Sequence, residues 1–503
     1  MKSSVSVGPG SSGRSATNST PGSTSGSGNV PCEPGKGNNR MNSLSRYFEK
    51  EKDFFSTFFK IAVPVAIQYF FFSSLNLIDN IMVGQLGNNE VAAVGFGNQF
   101  YFVLQLFLLG VAGGTAMFVS QFWGKKDLKN AKHVLGLSLI IAAAAAFLFF
   151  LAALIVPETI MGFFTANTDV RDLGVSYLQI CAVSYLLMAV STSYAATLRS
   201  IHEAVLPMQA NIIGIALNTT FNYFFIFGNF GFPALGVPGA AIATVIARGV
   251  EMAYLLVRLK LKRHPLITGF TEFFRISSAL VKRFIKKTSV VVGKDVIWGI
   301  GVSIYMSIYG HMEQGKEGES VAATAMTITN TIRNLSTVLI MGVANACLIM
   351  VGNALGAEKL DTAYNYARRF LRLTVGLGIL CGLTVIAFRH LLLSPYQVSE
   401  EVVTSTLSIL LIYGAVYFIY SFNMVAVVGV MRSGGDNFFC AVMDTIAVYF
   451  IGLPLALVGA FVWQLSVEGV FILIAVQEIF KAVLLFFRFR SRRWMKNMVE
   501  DLR

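Results

Sequence analysis

Charge is what this sequence has least of. Only 13% of its 503 residues are Asp, Glu, Lys or Arg, against 55% apolar, whereas soluble domains carry about 25% charged residues. A water-soluble globular chain is thereby excluded. Strict apolar–polar alternation is missing as well: "LIIAAAAAFLFFLAALIV" (139–156) is one continuous apolar run, which rules out a transmembrane β-barrel. No G-x-x-x-x-G-K-[ST] stretch occurs, and there is no soluble segment large enough for a nucleotide-binding domain, so direct ATP drive is excluded. Neither His-Glu-x-x-His nor Gly-x-Ser-x-Gly is present, which leaves an intramembrane enzyme without its machinery. Cysteine is scarce. Cys32, Cys181, Cys347, Cys381 and Cys440 form an odd set, four of them in apolar spans, with neither disulfide nor zinc spacing, and read as packing residues.

What the sequence does have is a succession of apolar runs, each long enough to cross a core of about 30 Å as a helix. Twelve spans are expected, near 55–83, 92–122, 133–156, 173–198, 205–228, 237–259, 289–311, 321–352, 366–390, 402–431, 438–461 and 467–489. The fold class is therefore all-α and polytopic. Residues 1–45 form a Gly/Ser-rich tail with little to bury, expected to be disordered. That tail has no apolar core of a cleavable signal peptide, and Met41 offers an alternative start. An N-lobe is expected over 46–260, a basic connection over 261–288, a C-lobe over 289–490 and a basic tail over 491–503.

The net charge of +13 is explained by placement. Lys and Arg crowd the loops after even-numbered spans and the C-terminal tail, whereas Arg171, Lys316 and Arg389 stand nearly alone after odd-numbered ones. This asymmetry puts both termini in the cytoplasm of a plasma (inner) membrane protein and removes any need for a nucleic-acid partner.

The halves repeat. "GVAGGTAMFVSQFWGKKDLKNA" (110–131) lies over "GVANACLIMVGNALGAEKLDTA" (342–363) without gaps, at an offset of 232. "Leu-Arg-Ser" at 198–200 meets "Met-Arg-Ser" at 431–433, and "Val-Pro-Gly" at 237–239 meets "Val-Glu-Gly" at 467–469. Two six-span repeats entering the membrane in the same sense make a transporter architecture of two pseudo-symmetric lobes.

Polar residues inside the spans are the candidates for function. Asp79, in "SLNLIDNIMVGQLG" (74–87), is flanked by Asn76 and Asn80; aligning Gly84 on Gly310 sets Tyr305 in its place in the second repeat. Span 5 offers Asn211, Asn218 and Asn222, the last two sharing a helix face, and Thr244 of span 6 is a further candidate for the same cavity. Arg248/Glu251 and Glu478/Lys481 are i, i+3 pairs at repeat-equivalent positions with signs reversed, read as structural pairs near the cytoplasmic face. Arg333 lies inside span 8 with no adjacent acid, a candidate for the central cleft. Asp436 follows Gly434 and Gly435 and reads as a turn residue, Asp444 lies within span 11, and Asp295 begins span 7 beside Lys294 at headgroup level. His311 and "EQGKEGE" (313–319) read as an exposed outer loop.

Taken in order, "FKIAVPVAIQ", "SLNLIDNIMVGQLG", "GVAGGTAMFVSQFWGKKD", "LNTTFNYFFIFG", "GVPGAAIATVIAR" and "GVMRSGGDN" resemble the multidrug and toxic compound extrusion family over about residues 50–490. The resemblance implies two six-helix lobes around a central cleft and exchange of a cation for a drug. It places Asp79 on the family's acidic helix 1 position, a protonation or sodium site, and Asn218 and Thr244 on the polar network around it. Asn222 stands where DinF-like members have Asp, as in NorM-like members, which removes one titratable partner. Asp436 matches the acidic residue of the turn after helix 10, and the NorM-like helix 7 Glu has no counterpart closer than the displaced Asp295. The expected activity is secondary antiport: an amphipathic, often cationic small molecule exported against Na+ or H+, by a monomer in the bilayer with no cofactor beyond the coupling ion. A lipid-linked oligosaccharide flippase of the wider superfamily is the alternative.

Overall fold

Hydropathy and capping chemistry divide the chain into helices. The structure, a computed structural model, describes residues 54–71, 73–74, 82–83, 85–86, 88–165, 167–266, 276–312, 321–394, 396 and 398–499. Among the described residues it contains no strand and twelve helices long and apolar enough to cross a membrane. They are α1 (Phe54–Phe71), α2 (Asn88–Gly124), α3 (Leu128–Ile155), α4 (Thr168–Ser200), α5 (Val205–Phe227) and α6 (Val237–Leu261) in the first half. The second half has α7 (Ser278–Gly310), α8 (Val321–Gly356), α9 (Leu360–Leu393), α10 (Glu400–Met431), α11 (Asn437–Val462) and α12 (Val467–Arg490).

Four of these helices start at a residue whose side chain satisfies a free backbone N–H group. Asp127 accepts from the Asn130 amide at the start of α3 and Asn167 from those of Asp169 and Val170 at the start of α4. Ser277 caps α7 through the Leu280 amide, and Ser466 caps α12 through that of Gly469. The Ser277 cap corrects one expectation. The helix begins at Ser278, well before 289, so much of the basic connection is the first turns of α7. A second difference is the short helix Pro157–Phe164 between α3 and α4, whose Met161 is buried against Gly174. Residues 1–53 and 313–320, with the disordered tail and the acidic outer loop expected there, lie outside the described residues, as do 267–275; His311 is exposed.

The repeat is visible in how the halves touch. A Cβ added to Gly124 would lie 1.9 Å from the Asn353 carbonyl oxygen, and one added to Gly356 would lie 1.8 Å from that of Gln121. The two contacts are related by the offset of 232 found in the sequence, and only glycine lets the backbones approach so closely. The first helix of each half then packs on the other half: Ala62 of α1 against Gly342 of α8, and Val292 of α7 against Gly110 of α2. Phe54 and Phe58 extend the first of these contacts into an aromatic cluster with Phe370, and Phe54 also meets Tyr366.

These contacts gather toward the end of the molecule that bears the basic loops. There the segment after α12 runs beneath the junction. Trp494 and Val499 are fully buried and Met498 nearly so, the last two in a cluster that joins Phe118 and Leu198 of the first half to Phe284 of α7. Each such buried side chain contributes about 1.5–3 kcal/mol. Gln121 of α2 donates to the carbonyls of Ser433 (2.7 Å) and Lys496 (3.2 Å) and accepts from the Met498 amide (2.7 Å). Lys125 donates to the Val499 carbonyl at 2.7 Å and Arg283 to that of Met498 at 2.8 Å. At the same end Asn353 of α8 donates to the His202 ring, in the turn between α4 and α5.

Two outcomes are expected. Gly356→Val should lower the melting temperature of the purified protein, a loss of about 1–3 kcal/mol from overpacking, whereas Gly376→Ala, where an added Cβ meets nothing within 4 Å, should leave it unchanged. Burial, reinforced by Lys60, holds the His202 pKa below the ordinary histidine value. Its contribution is therefore complete above about pH 6.5 and is lost as pH falls through the lowered value. Thermal melts recorded between about pH 8 and pH 5 should show this loss in the wild type and not in His202→Gln.

Candidate functional site

A chamber of about 390 Å³ opens among α2, α4, α5 and α6 of the first half. That volume matches one drug-sized molecule. Its α5–α6 wall is a string of hydrogen bonds. Asn222 donates to the Asn218 amide oxygen at 3.3 Å, Asn218 donates to the Thr244 hydroxyl at 3.3 Å, and Thr244 donates to the Ala240 carbonyl at 3.0 Å. The spacing of 218 and 222 puts both amides on one helix face, and the close fit of α5 on α6 brings Thr244 beneath them. Deeper in the same chamber, Arg248 and Glu251 pair at 2.7 Å, and Asn211 donates to Glu251 at 3.5 Å. The opposite walls are aromatic and amide: Tyr101, Phe102 and Gln105 from α2, and Tyr177, Tyr185 and Met188 from α4. Tyr177 donates to Asn98 at 3.1 Å.

Asn218, Asn222 and Thr244 are thus brought together as expected. Asp79, with Asn76 and Asn80, lies outside the described residues; Val83 lines the chamber. Arg248 and Glu251, read from sequence as a structural pair, form that pair on the chamber wall.

The remaining candidates group differently. Asp295 does not begin its helix. With α7 starting at Ser278, it sits near the middle of the helix, within 2.9 Å of the Lys294 ammonium and 3.7 Å of the Arg432 guanidinium. Asp444 is buried and lies between Lys294 (3.6 Å) and Lys481 (3.8 Å). Lys481 also pairs with Glu478 at 2.7 Å, and Glu478 accepts from Asn423 at 2.8 Å. Asp436 is both a turn residue and a buried one. It occupies the cap position of α11 after Gly435 (φ 71°), and Arg488 grips it through two bonds of 2.6 and 2.9 Å. With Lys496 3.8 Å away, Asp436 belongs to the basic-loop junction rather than to a cleft. Arg333 is half-buried, within electrostatic reach of Tyr309, Tyr413 and Tyr420, and has no ion pair among the described residues. Tyr305, the counterpart of Asp79, is buried and donates to Gln477 at 2.9 Å.

Sequence reading does not single out the chamber's α2 and α4 walls. Asn98 and Gln105 in an otherwise apolar span were the available signal there. Lys294 escapes it too, because a lysine near the expected start of a span reads as a headgroup contact.

The family model described as MatE matches residues 64–224 and 300–458, one block in each half. The chain is 25% identical over 465 residues to the uncharacterised transporter YisQ of Bacillus subtilis, covering 90% of this chain and 98% of that one. It is 23% identical over 452 residues to a probable multidrug resistance protein NorM of Bacillus cereus, covering 89% and 97%. Among solved structures, an outward-facing multidrug resistance MATE family transporter of the MOP superfamily superposes with a TM-score of 0.79 at 19% identity, covering 87% of this chain and 95% of that one. The Vibrio cholerae MATE transporter VcmN, solved as a point mutant, superposes at 0.80 with 19% identity, covering 89% and 98%. With twelve candidate spans among the described residues and one matched block in each half, this chain belongs to the MatE family of multidrug and toxic compound extrusion transporters.

Proposed function

We propose that the protein is a secondary antiporter that exports amphipathic, often cationic compounds in exchange for Na+ or H+ by alternating access. The observation that carries this reading is the first-half chamber. Its volume suits a single small molecule, its tyrosines supply flat apolar surface, and its α5–α6 wall supplies amide and hydroxyl oxygens suited to a cation or a protonated carboxyl. A chamber of about 390 Å³ suits one drug-sized molecule better than a lipid-linked oligosaccharide, which favours the first reading over a flippase.

In this reading Asp79 is the coupling residue. A carboxylate that is charged when it holds a cation and neutral when protonated changes its demand for hydrogen bonds as the ion arrives and leaves. Asn218, Asn222 and Thr244 are bonded in sequence, so a change at one end of the string alters the next. Loading the ion would reorder this wall and release the substrate, and emptying it would let the substrate bind. Closure at the basic-loop end leaves the opposite side as the route of exchange. Lys/Arg placement makes the closed side cytoplasmic, with both termini on it, in an inner (plasma) membrane protein acting as a monomer.

Drug efflux should be measured in a pump-deficient host with sodium and pH varied independently. Asp79→Asn is expected to abolish efflux while the protein still reaches the membrane. Full efflux in that variant would sink the assignment of Asp79.

A further inference from the structure

The second half encloses a cluster of charges that the cycle above does not use. Arg432, Asp295, Lys294, Asp444, Lys481 and Glu478 follow one another as alternating cations and anions, with neighbours 2.7 to 3.8 Å apart. Their side chains are mostly withdrawn from the surface, from 7% exposed at Lys481 to 20% at Asp295. Three helices supply five of them: α7 gives Lys294 and Asp295, α11 gives Asp444, and α12 gives Glu478 and Lys481. Arg432 follows the widened, π-helical last turns of α10.

Comparison with the first half shows what is unusual. Asp444 occupies the position of Asn211, Glu478 that of Arg248, and Lys481 that of Glu251, at offsets of 233, 230 and 230. Both lobes keep the contact geometry: residue 211 touches 251, and residue 444 touches 481. In the first half, however, the α5 member is a neutral amide. In the second half it is a carboxylate, with a second acid, Asp295, and a second lysine, Lys294, added beside it. The amide–hydroxyl string has no counterpart there, since Ile451, Leu455 and Ile474 stand at the positions of Asn218, Asn222 and Thr244.

A buried carboxylate surrounded by other helices needs a partner of opposite charge. The three acids of this cluster have theirs, and the cluster is neutral as it stands. A metal ion entering it would add an uncompensated charge in a low-dielectric site. It would also have to displace an ammonium held by its own side chain at high effective concentration.

We propose that Lys294 and Lys481 are tethered counter-cations that permanently fill the space between the acids of the C-lobe, so that Asp295, Asp444 and Glu478 bind no exchangeable Na+. The two lysines are then residues that determine coupling-ion specificity. This rests on the antiport reading, but it is tested by ion binding, with no transport measured.

The full-length protein in lipid nanodiscs is melted in NaCl and in choline chloride at equal ionic strength, and bound radioactive sodium is counted. Wild type should bind at most one Na+, and Asp444→Asn should leave its sodium response unchanged. Lys481→Gln should gain a saturable sodium-dependent rise in melting temperature. That gain should vanish in Lys481→Gln/Asp444→Asn and be absent from Lys481→Arg, which keeps a tethered cation. Two sodium sites in wild type, or a wild-type sodium response reduced by Asp444→Asn, would overturn the proposal. So would a folded Lys481→Gln protein without the gain. Should Lys481→Gln fail to fold, the wild-type stoichiometry and its indifference to Asp444→Asn decide the matter. Failure here leaves the role of Asp79 in efflux standing, and failure of Asp79→Asn to affect efflux leaves this binding result intact.

Discussion

Two backbones in contact, α2 over α8 at Gly124 and Gly356, set the spacing of everything else. Because neither position carries a Cβ, each helix accepts a carbonyl of the other, and the halves meet by backbone packing rather than through layers of side chains. In a bilayer, where apolar side chains gain little by leaving lipid, such close packing is a principal source of helix association. The exchange of α1 and α7 between halves follows from it. Once α2 and α8 touch, the first helix of each half finds its groove on the partner, and Phe54 and Phe58 fill the space beside α9.

Duplication supplied the two lobes with one scaffold, and the polar residues then diverged along it. Arg199 and Arg432 sit at matching positions and each reaches the first helix of its own half, Arg199 donating to Gln68 and Arg432 forming an ion pair with Asp295. The same divergence recurs at 211 and 444. In one lobe the partners are amides and enclose a chamber; in the other they are acids closed upon lysines. An amide can turn its donor or its acceptor toward a visitor, whereas a carboxylate between two ammoniums is already committed. The lobes are alike in shape and unlike in chemistry.

Much of this was legible in the sequence, for definite reasons. Hydropathy finds twelve spans because each must cover the same hydrocarbon thickness, and the offset of 232 reappears as a pair of glycine contacts. Hydropathy fails at the start of α7, "SALVKRFIKK", because those turns are helical but basic, so Asp295 reads as the beginning of a helix whose middle it occupies. Asn218, Asn222 and Thr244 were legible as polar residues on one face of apolar helices. The α2 and α4 walls of the chamber were not, since Tyr101, Tyr177 and Tyr185 look like ordinary membrane aromatics until the packing of four helices turns them toward one space. Asp436 carries too little local signal to be told from a surface turn; its burial depends on Arg488, a full helix away.

The buried segment at residues 494–499 has a practical side. A fluorescent reporter or affinity handle appended behind it would load the segment that Gln121, Lys125 and Arg283 hold at the junction of the lobes. Its bulk would pull on the contacts by which that segment joins the two lobes.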